Sequence, residues 1–468
     1  MAGSCDWLAW ACMSKALSLA LLAVMGLELG HLFLGVPWLR DGAHIALVGV
    51  ILVAAPRLGL REAYLLTLSG VLIALLWWLH PEPSAAARNA LDQAVFLMSF
   101  ILLLSLVQEA AMTSPSVAMV GTYLAKQPGG RRFIGLYGGT NMMAVIFNLG
   151  TVTLIAPVVR RAAEAAPDDP LTPVRERRQL SAVLRGFAWC VVWSPTAVAP
   201  LALLTLIEGI DRGRWMVLGV LLAVAMLVIG WAEDRWRWRN HTAAALGLPP
   251  VVRAPMPGME LLRFLGVCLS FIGLTGAIMW ASGLGVPPSL MAAAPILMVG
   301  WLLAQGANIG VQLQRVAGRG LPASAPAAVT LACSGFVGIA GAALIPADAA
   351  AEWIGLDALP AWVFMIAITV AVAALAQLAL SPIMMAVFFG AILGALPSLP
   401  ASPTLTALAI SCGWAVSMTC APFASVVLMM SRITGVSGTR LTYRWNSGFT
   451  LLSLAVLTGA FWLMTGGA

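Results

Sequence analysis

The sequence predicts an all-α polytopic membrane protein with about eleven transmembrane helices plus two re-entrant hairpins, arranged as two inverted repeats. Three observations lead there: the composition, the placement of the basic residues, and two long uncharged stretches broken near their middles. Of 468 residues, 61% are hydrophobic and only 10% charged, whereas a soluble domain carries about 25% charged residues. A helix needs roughly 20 apolar residues to cross the hydrocarbon, and the apolar runs are too continuous for the alternating strands of an outer-membrane barrel.

Spans are predicted near 16–38, 42–56, 63–80, 94–112, 185–208, 214–232, 263–281, 289–306, 325–345, 404–430 and 447–465. The first, preceded by Lys15 and lacking a small-residue cleavage site, reads as a retained span rather than a removed signal. Lys and Arg stay on the cytoplasmic side of short loops. Threading the spans on that rule places 22 of the 26 basic residues in the cytoplasm, leaving Arg40, Arg88, Arg212 and Arg214 outside. The N-terminus is then cytoplasmic and the C-terminus periplasmic, in the inner membrane of a cell. The net charge of +7 is thereby explained by orientation, and no nucleic-acid partner is expected. The run from Trp231 to Arg239 reads as an interfacial tryptophan belt with cytoplasmic charge.

Residues 133–159 carry no charge, yet Arg131-Arg132 and Arg160-Arg161 flank them on both sides. One crossing would export an arginine pair. Two short helices that meet at Asn148-Leu-Gly-Thr151 and turn back keep both pairs inside; the alternative is one tilted helix kinked at the glycine. Irregular backbone at membrane depth is tolerated where protein buries it or a cavity accepts it. The stretch 361–395 mirrors the first, broken at Gln377-Leu-Ala-Leu-Ser381-Pro382, with Asp348, Glu352 and Asp357 before it and a Pro-rich neutral loop after it. Its flanks read as external, so the two hairpins open to opposite sides, as an inverted repeat requires. Residues 113–126 read as a short interfacial helix, with 347–357 its counterpart.

Each stretch is followed by a span with an internal proline. Gly186-Phe-Ala-Trp-Cys-Val-Val-Trp-Ser-Pro-Thr-Ala197 and, 227 positions on, Gly413-Trp-Ala-Val-Ser-Met-Thr-Cys-Ala-Pro-Phe-Ala424 share the glycine, the third-position alanine, the proline and the final alanine. Proline removes a backbone donor and clashes with the preceding turn. Breaks are therefore expected at Ser194-Pro195 and Ala421-Pro422, with a kinked but continuous helix as the alternative. Half-helix N-termini favour anions, and unwound carbonyls with nearby hydroxyls or amides can hold a cation. The candidate substrate- and ion-binding residues are Asn148, Gly150, Thr151, Thr153, Ser194, Pro195 and Thr196 in the first half. In the second half they are Ser381, Pro382, Ser417, Thr419, Pro422 and Ser425.

Hairpin, tip, then broken helix, repeated in inverted sense over about 42–465, resembles the ion transporter superfamily. That superfamily includes divalent anion/sodium symporters, arsenite-permease-like proteins and TRAP-transporter membrane subunits. The resemblance implies elevator-like alternating access and a homodimer. In the divalent-anion members a Ser-Asn-Thr motif at each hairpin tip meets the broken helix. Here Asn148-Leu-Gly-Thr151 and Ser381-Pro382 stand in those places, leaving the coupling ion open between Na+ and H+. The repeats run 42–232 (hairpin 133–159, broken helix 185–208) and 263–468 (hairpin 361–395, broken helix 404–430). An extra span, 1–41, precedes them and a cytoplasmic linker, 233–262, joins them.

The expected function is secondary active transport of a small anionic solute, partnered by the bilayer, with Na+ a candidate coupling ion and no resident metal or cofactor. The first alternative is proton-coupled export of a neutral or weakly acidic compound. It follows from the absence of the Ser-Asn-Thr pattern; separately, Glu28 and His31 share one face of the first span, outside the repeats, and could form a proton relay. The second is a channel or a membrane-embedded enzyme, though no HExxH, paired aspartates or Ser/His/Asp grouping occurs and the histidines (31, 44, 80, 241) are scattered. None of the seven cysteines forms a CxxC pair, which points away from a disulfide framework or a zinc site. Glu109 reads as a span terminus, and Gln305 and Asn308 as candidates for hydrogen bonds between helices.

Overall fold

A computed structural model of the chain describes residues 2–165, 169, 171–241, 255–346, 352 and 355–467. Its described residues form helices and no strands. Eleven helices among them are long and apolar enough to cross a membrane. The chain divides into two compact units, each built from two separate segments: Met1–Ser114 with Phe264–Ile345, and Pro115–Arg263 with Pro346–Ala468.

The first unit contains α1 (Ala2–Leu34), α2 (Pro37–Ala54), α3 (Leu60–Leu79) and α4 (Pro83–Met112). From the second segment it takes most of α11 (Gly258–Ser282), then α12 (Val286–Ala304), α13 (Ile309–Arg315) and α14 (Leu321–Ala343). Its core is the α4–α14 pair, where small residues let two long helices approach: a Cβ on Gly335 would lie 2.9 Å from a Leu97 methyl and 3.0 Å from the Gln93 carbonyl oxygen. Small residues serve this purpose in membranes, because lipid tails are as apolar as leucine and close packing supplies the attraction. Leu52, Trp78, Leu269 and Trp280 are exposed on the outer helices, as lipid-facing residues are.

Polar contacts fasten this unit. Gln305 accepts a hydrogen bond from the Thr113 hydroxyl (3.1 Å) and donates to the Ala110 carbonyl (3.2 Å), the interhelical role its position suggests. Asn308 instead caps α13, accepting from the Val311 N–H. Glu109 faces Arg315 at 3.5 Å. Asp92 gathers Arg40 and, at 2.9 Å, His44. Glu28 is buried and the Nδ1 of His31 is enclosed without a hydrogen-bond partner. Span lengths differ from the sequence reading: α4 starts at Pro83 rather than 94, and Ile309–Ala343 is one run whose middle, Val316–Gly320, is a π-helical turn.

The second unit opens with α5 (Pro115–Ala125), at the place of the expected interfacial helix. Its counterpart, 347–357, lies almost wholly outside the described residues, as do 242–254 of the expected linker. Then come α6 (Gly129–Phe147), α7 (Gly150–Glu164), α8 (Thr172–Cys190), α9 (Val198–Leu206) and α10 (Arg212–Arg237). The second segment supplies α15 (Ala361–Leu375), α16 (Pro382–Gly394), α17 (Pro403–Cys420), α18 (Ser425–Thr434) and α19 (Ser447–Thr465).

Both proline-containing spans are interrupted where the prolines stand. The expected span 185–208 is accordingly a long helix begun in the polar segment at Thr172 plus a nine-residue piece, and neither qualifies alone as a crossing helix. Ala361–Leu378, within the second broken stretch, does qualify, with 18 residues. The total of eleven is thus reached with one member exchanged, because proline shortens one apolar run while the other stays helical up to its break.

Packing in this unit repeats in pairs. As α6 packs on α8, so α15 packs on α17, and as α10 packs on α6, so α19 packs on α15. The short helices exchange partners across the two segments, α7 with α18 and α16 with α9.

Candidate functional site

The candidate site residues lie at two tips and two breaks. At the first tip α6 ends on Asn148, whose backbone sits at φ 46° and whose N–H donates to the Ala144 carbonyl (3.0 Å). Asparagine tolerates the left-handed side of the map better than other residues with a Cβ, so the turn falls there and α7 begins at Gly150. At the second tip a single 3-10 turn, Ala376–Leu378, leads to Ala379 at φ 61°. Ser381 follows as an extended N-cap, and Pro382 opens α16 in the first turn, where a missing N–H costs no intrahelical bond. Asn148 and Ala379 are the two non-glycine residues with positive φ among those described. One stands at each tip, where strained backbone is held by its surroundings.

The breaks are alike in detail. Helix α8 stops at Cys190, and α9 restarts behind Ala197 (φ −74°, ψ 138°); α17 stops at Cys420, and α18 restarts behind Ala424 (φ −59°, ψ 138°). All four coincident positions of the twelve-residue motif now have a role. Pro195 and Pro422 interrupt the helices, and Ala197 and Ala424 are the matching N-caps. Ala188 and Ala415 are fully buried. Gly186 and Gly413 are points of backbone contact. A Cβ on Gly186 would press on the Tyr137 carbonyl of α6, and one on Gly413 would lie 2.8 Å from Val372 and 3.0 Å from the Thr369 carbonyl of α15.

Each tip is tied to a break. The Thr196 hydroxyl donates to the Val145 carbonyl and lies 2.9 Å from the Ser194 hydroxyl. Gln377 donates to the Cys420 sulfur (3.2 Å) and accepts from the Tyr443 hydroxyl (2.8 Å). The helix that follows the second tip packs on the helix that follows the first break. A Cβ on Gly390 would touch Leu203, and one on Gly394 would touch the Leu206 carbonyl, so α16 and α9 run parallel.

The hydroxyls separate into two groups. Thr153, Ser417 and Thr419 return hydrogen bonds to their own helices, at 2.8, 2.6 and 2.9 Å, and Thr419 also meets Thr450 at 3.0 Å. Thr151 is different: it is fully buried in the first turn of α7, and its Oγ1 has no partner. A buried hydroxyl left unpaired costs about 1–3 kcal/mol, which a bound solute or ion would relieve. Ser381 is buried and Ser425 half-buried at the starts of α16 and α18.

Reading the sequence alone missed Asn141 and Arg185. The Asn141 amide donates to the Gly186 carbonyl (3.0 Å) and accepts from the Trp193 indole (3.1 Å), docking α6 onto both α8 and the break. Its one available signal was an amide inside an uncharged stretch. Arg185, which the sequence places in the cytoplasm, is buried in α8, bonded to Glu233 (2.8 Å) and Asn446 (2.7 Å) and stacked 4.2 Å from Phe449. No acidic or basic residue occurs within 186–207 or 358–431, and the described residues hold no cluster of metal-ligating side chains.

These features define the class: a multi-pass membrane protein with a transporter fold. In particular, the chain is similar in structure to the YdaH transporter of Alcanivorax borkumensis, whose crystal structure reveals an unusual topology. The likeness covers 87% of this chain and 99% of that one, at a TM-score of 0.55 and 14% sequence identity. No protein-family model and no curated protein matches the chain.

Proposed function

We propose that the protein is a secondary active transporter of a small anionic solute, working by elevator-like alternating access coupled to Na+ or H+. The observation that carries this is the doubled arrangement of tip and break. Four short helices, α7, α9, α16 and α18, all begin there. A helix N-terminus concentrates unpaired N–H groups and about half a positive charge, and no carboxylate in the surrounding sequence opposes it. Carbonyls freed at the breaks supply the cation side of the same site. On this reading the halves 42–232 and 263–468 are inverted repeats with re-entrant hairpins, the likeness to the ion transporter superfamily holds at this level, and two copies form a dimer in the inner membrane. An uncharged lining equally accepts a neutral or weakly acidic compound exported against protons, so the driving ion is the measurement that divides the two readings.

Uptake of small mono- and dicarboxylates into proteoliposomes, under a Na+ or a proton gradient, is the direct test. Transport indifferent to both gradients removes the secondary-active reading. In that assay Thr151→Val, nearly isosteric, is expected to lower transport at least about tenfold, the size of one lost hydrogen bond of about 1.4 kcal/mol, while the melting temperature of the solute-free protein rises because an unpaired buried hydroxyl is removed. Orientation has its own check. Single cysteines placed at Asn148 and Ser381, in a variant freed of its native cysteines, are expected to label from opposite faces. Labelling from one face contradicts the inverted repeat.

A further inference from the structure

Away from the tips, the N-terminal turns of α6 and α8 enclose a small cavity lined by Arg132, Phe133, Arg175, Arg178 and Gln179. Three guanidinium groups around one cavity would repel unless anions offset them. Two are offset: Arg175 pairs with Asp169, and Arg178 grips both oxygens of Asp234, at 3.0 and 2.7 Å. Arg132 is not. Its Nε donates to the Gln127 carbonyl at 2.6 Å, and no carboxylate among the described residues reaches it. Burial, with Arg175 and Arg178 beside it, pulls its pKa down to about 10. Among the described residues the cavity therefore has one guanidinium more than it has paired acids, and both helices that build it, of 19 residues each, present their positive ends on this side.

We infer that this cavity binds a phosphoryl group, carried by an anionic lipid headgroup or by a free phosphate. A tetrahedral oxyanion offers oxygens in several directions at once, and arginine forks bind such oxygens two at a time. Arg132 is the anchor, while Arg175 and Arg178 keep their carboxylates and shape the rim. The site is separate from the transport site and does not depend on what is transported.

The test uses the delipidated full-length protein in detergent, with inorganic phosphate against chloride in one arm and phosphatidylglycerol in the other. Melting temperature and native mass spectrometry are the readouts. The wild type is expected to bind at least one probe. Arg132→Gln is expected to weaken it at least about tenfold, the loss of one charge-assisted contact. Arg131→Gln, an exposed neighbour, is expected to change nothing. Should Arg132→Gln fold poorly, Arg132→Lys keeps the charge without the fork and is expected to bind more weakly than wild type. Phosphate binding that competes with the lipid indicates a free phosphate as the natural ligand; lipid retention untouched by phosphate indicates a headgroup. Binding of neither probe by the wild type, or equal binding by Arg132→Gln and wild type, overturns the assignment.

Discussion

Arg185→Met is expected to destabilise the protein by about 3–5 kcal/mol, the usual cost of removing one partner of a buried ion pair. The cost arises from what remains. Glu233 would keep its charge in a dry setting with only Arg237, at 2.7 Å and partly exposed, to face it. The Asn446 carbonyl oxygen would lose its donor, and Phe449 its stacked cation. Methionine restores most of the volume, so the loss reads charge rather than packing. Adding Glu233→Gln should recover most of the stability, because replacing both members of a buried pair is often close to neutral. Unfolding of the detergent-solubilised single and double variants measures this. A silent Arg185→Met, or a double variant no better than the single one, contradicts the account.

Gly186→Ala is the second large effect. Overpacking ordinarily costs about 1–3 kcal/mol, and this substitution is expected at the top of that range or above. The obstacle is the Tyr137 carbonyl, with its carbon and Cα also 3.0 Å from the added methyl, and backbone cannot rotate aside as a side chain can. Helix α6 must shift away from α8, which also breaks the Asn141–Gly186 hydrogen bond and displaces the tip at Asn148. Loss of transport should accompany loss of stability. Gly413→Ala is expected to act in the same sense in the other half. Gly138→Ala, in α6 itself, is the control: its Cβ meets nothing within 4 Å, and better helix propensity should make it neutral or stabilising by up to about 1 kcal/mol. Melting temperature and transport rate measured together for the three variants decide the matter.

The elements of the site were legible because each is written in residues with strong backbone preferences. Proline at 195 and 422, asparagine at 148 and the Ser-Pro pair at 381–382 stand at the breaks, although Pro157, Pro295 and Pro326 sit inside helices. The twelve-residue motif was also visible, but only as coincident letters. That its glycines are contact points and its last alanines are matching N-caps needed coordinates, since an identity records no neighbour.

Partnership was the hidden part. Four short helices give no sign in the sequence of which packs on which, and in lipid an apolar face does not identify its partner. The exchange of α7 with α18 and of α16 with α9 joins residues more than 180 positions apart, and no periodicity carries that information. Arg185 shows the same limit: counted among the cytoplasmic cations, it is buried inside a helix and bonded to Glu233, because α8 begins at Thr172 rather than at the edge of the apolar run.

By itself, then, the sequence determined that the chain is rich in apolar helices of membrane-crossing length and where two of them break, since hydropathy and backbone restriction act locally. The tertiary structure decided which break faces which tip, that Thr151 stays buried without a partner, and that the chain's segments interleave into two units. Those are consequences of close packing between distant segments, a property of surfaces in contact rather than of residues in order.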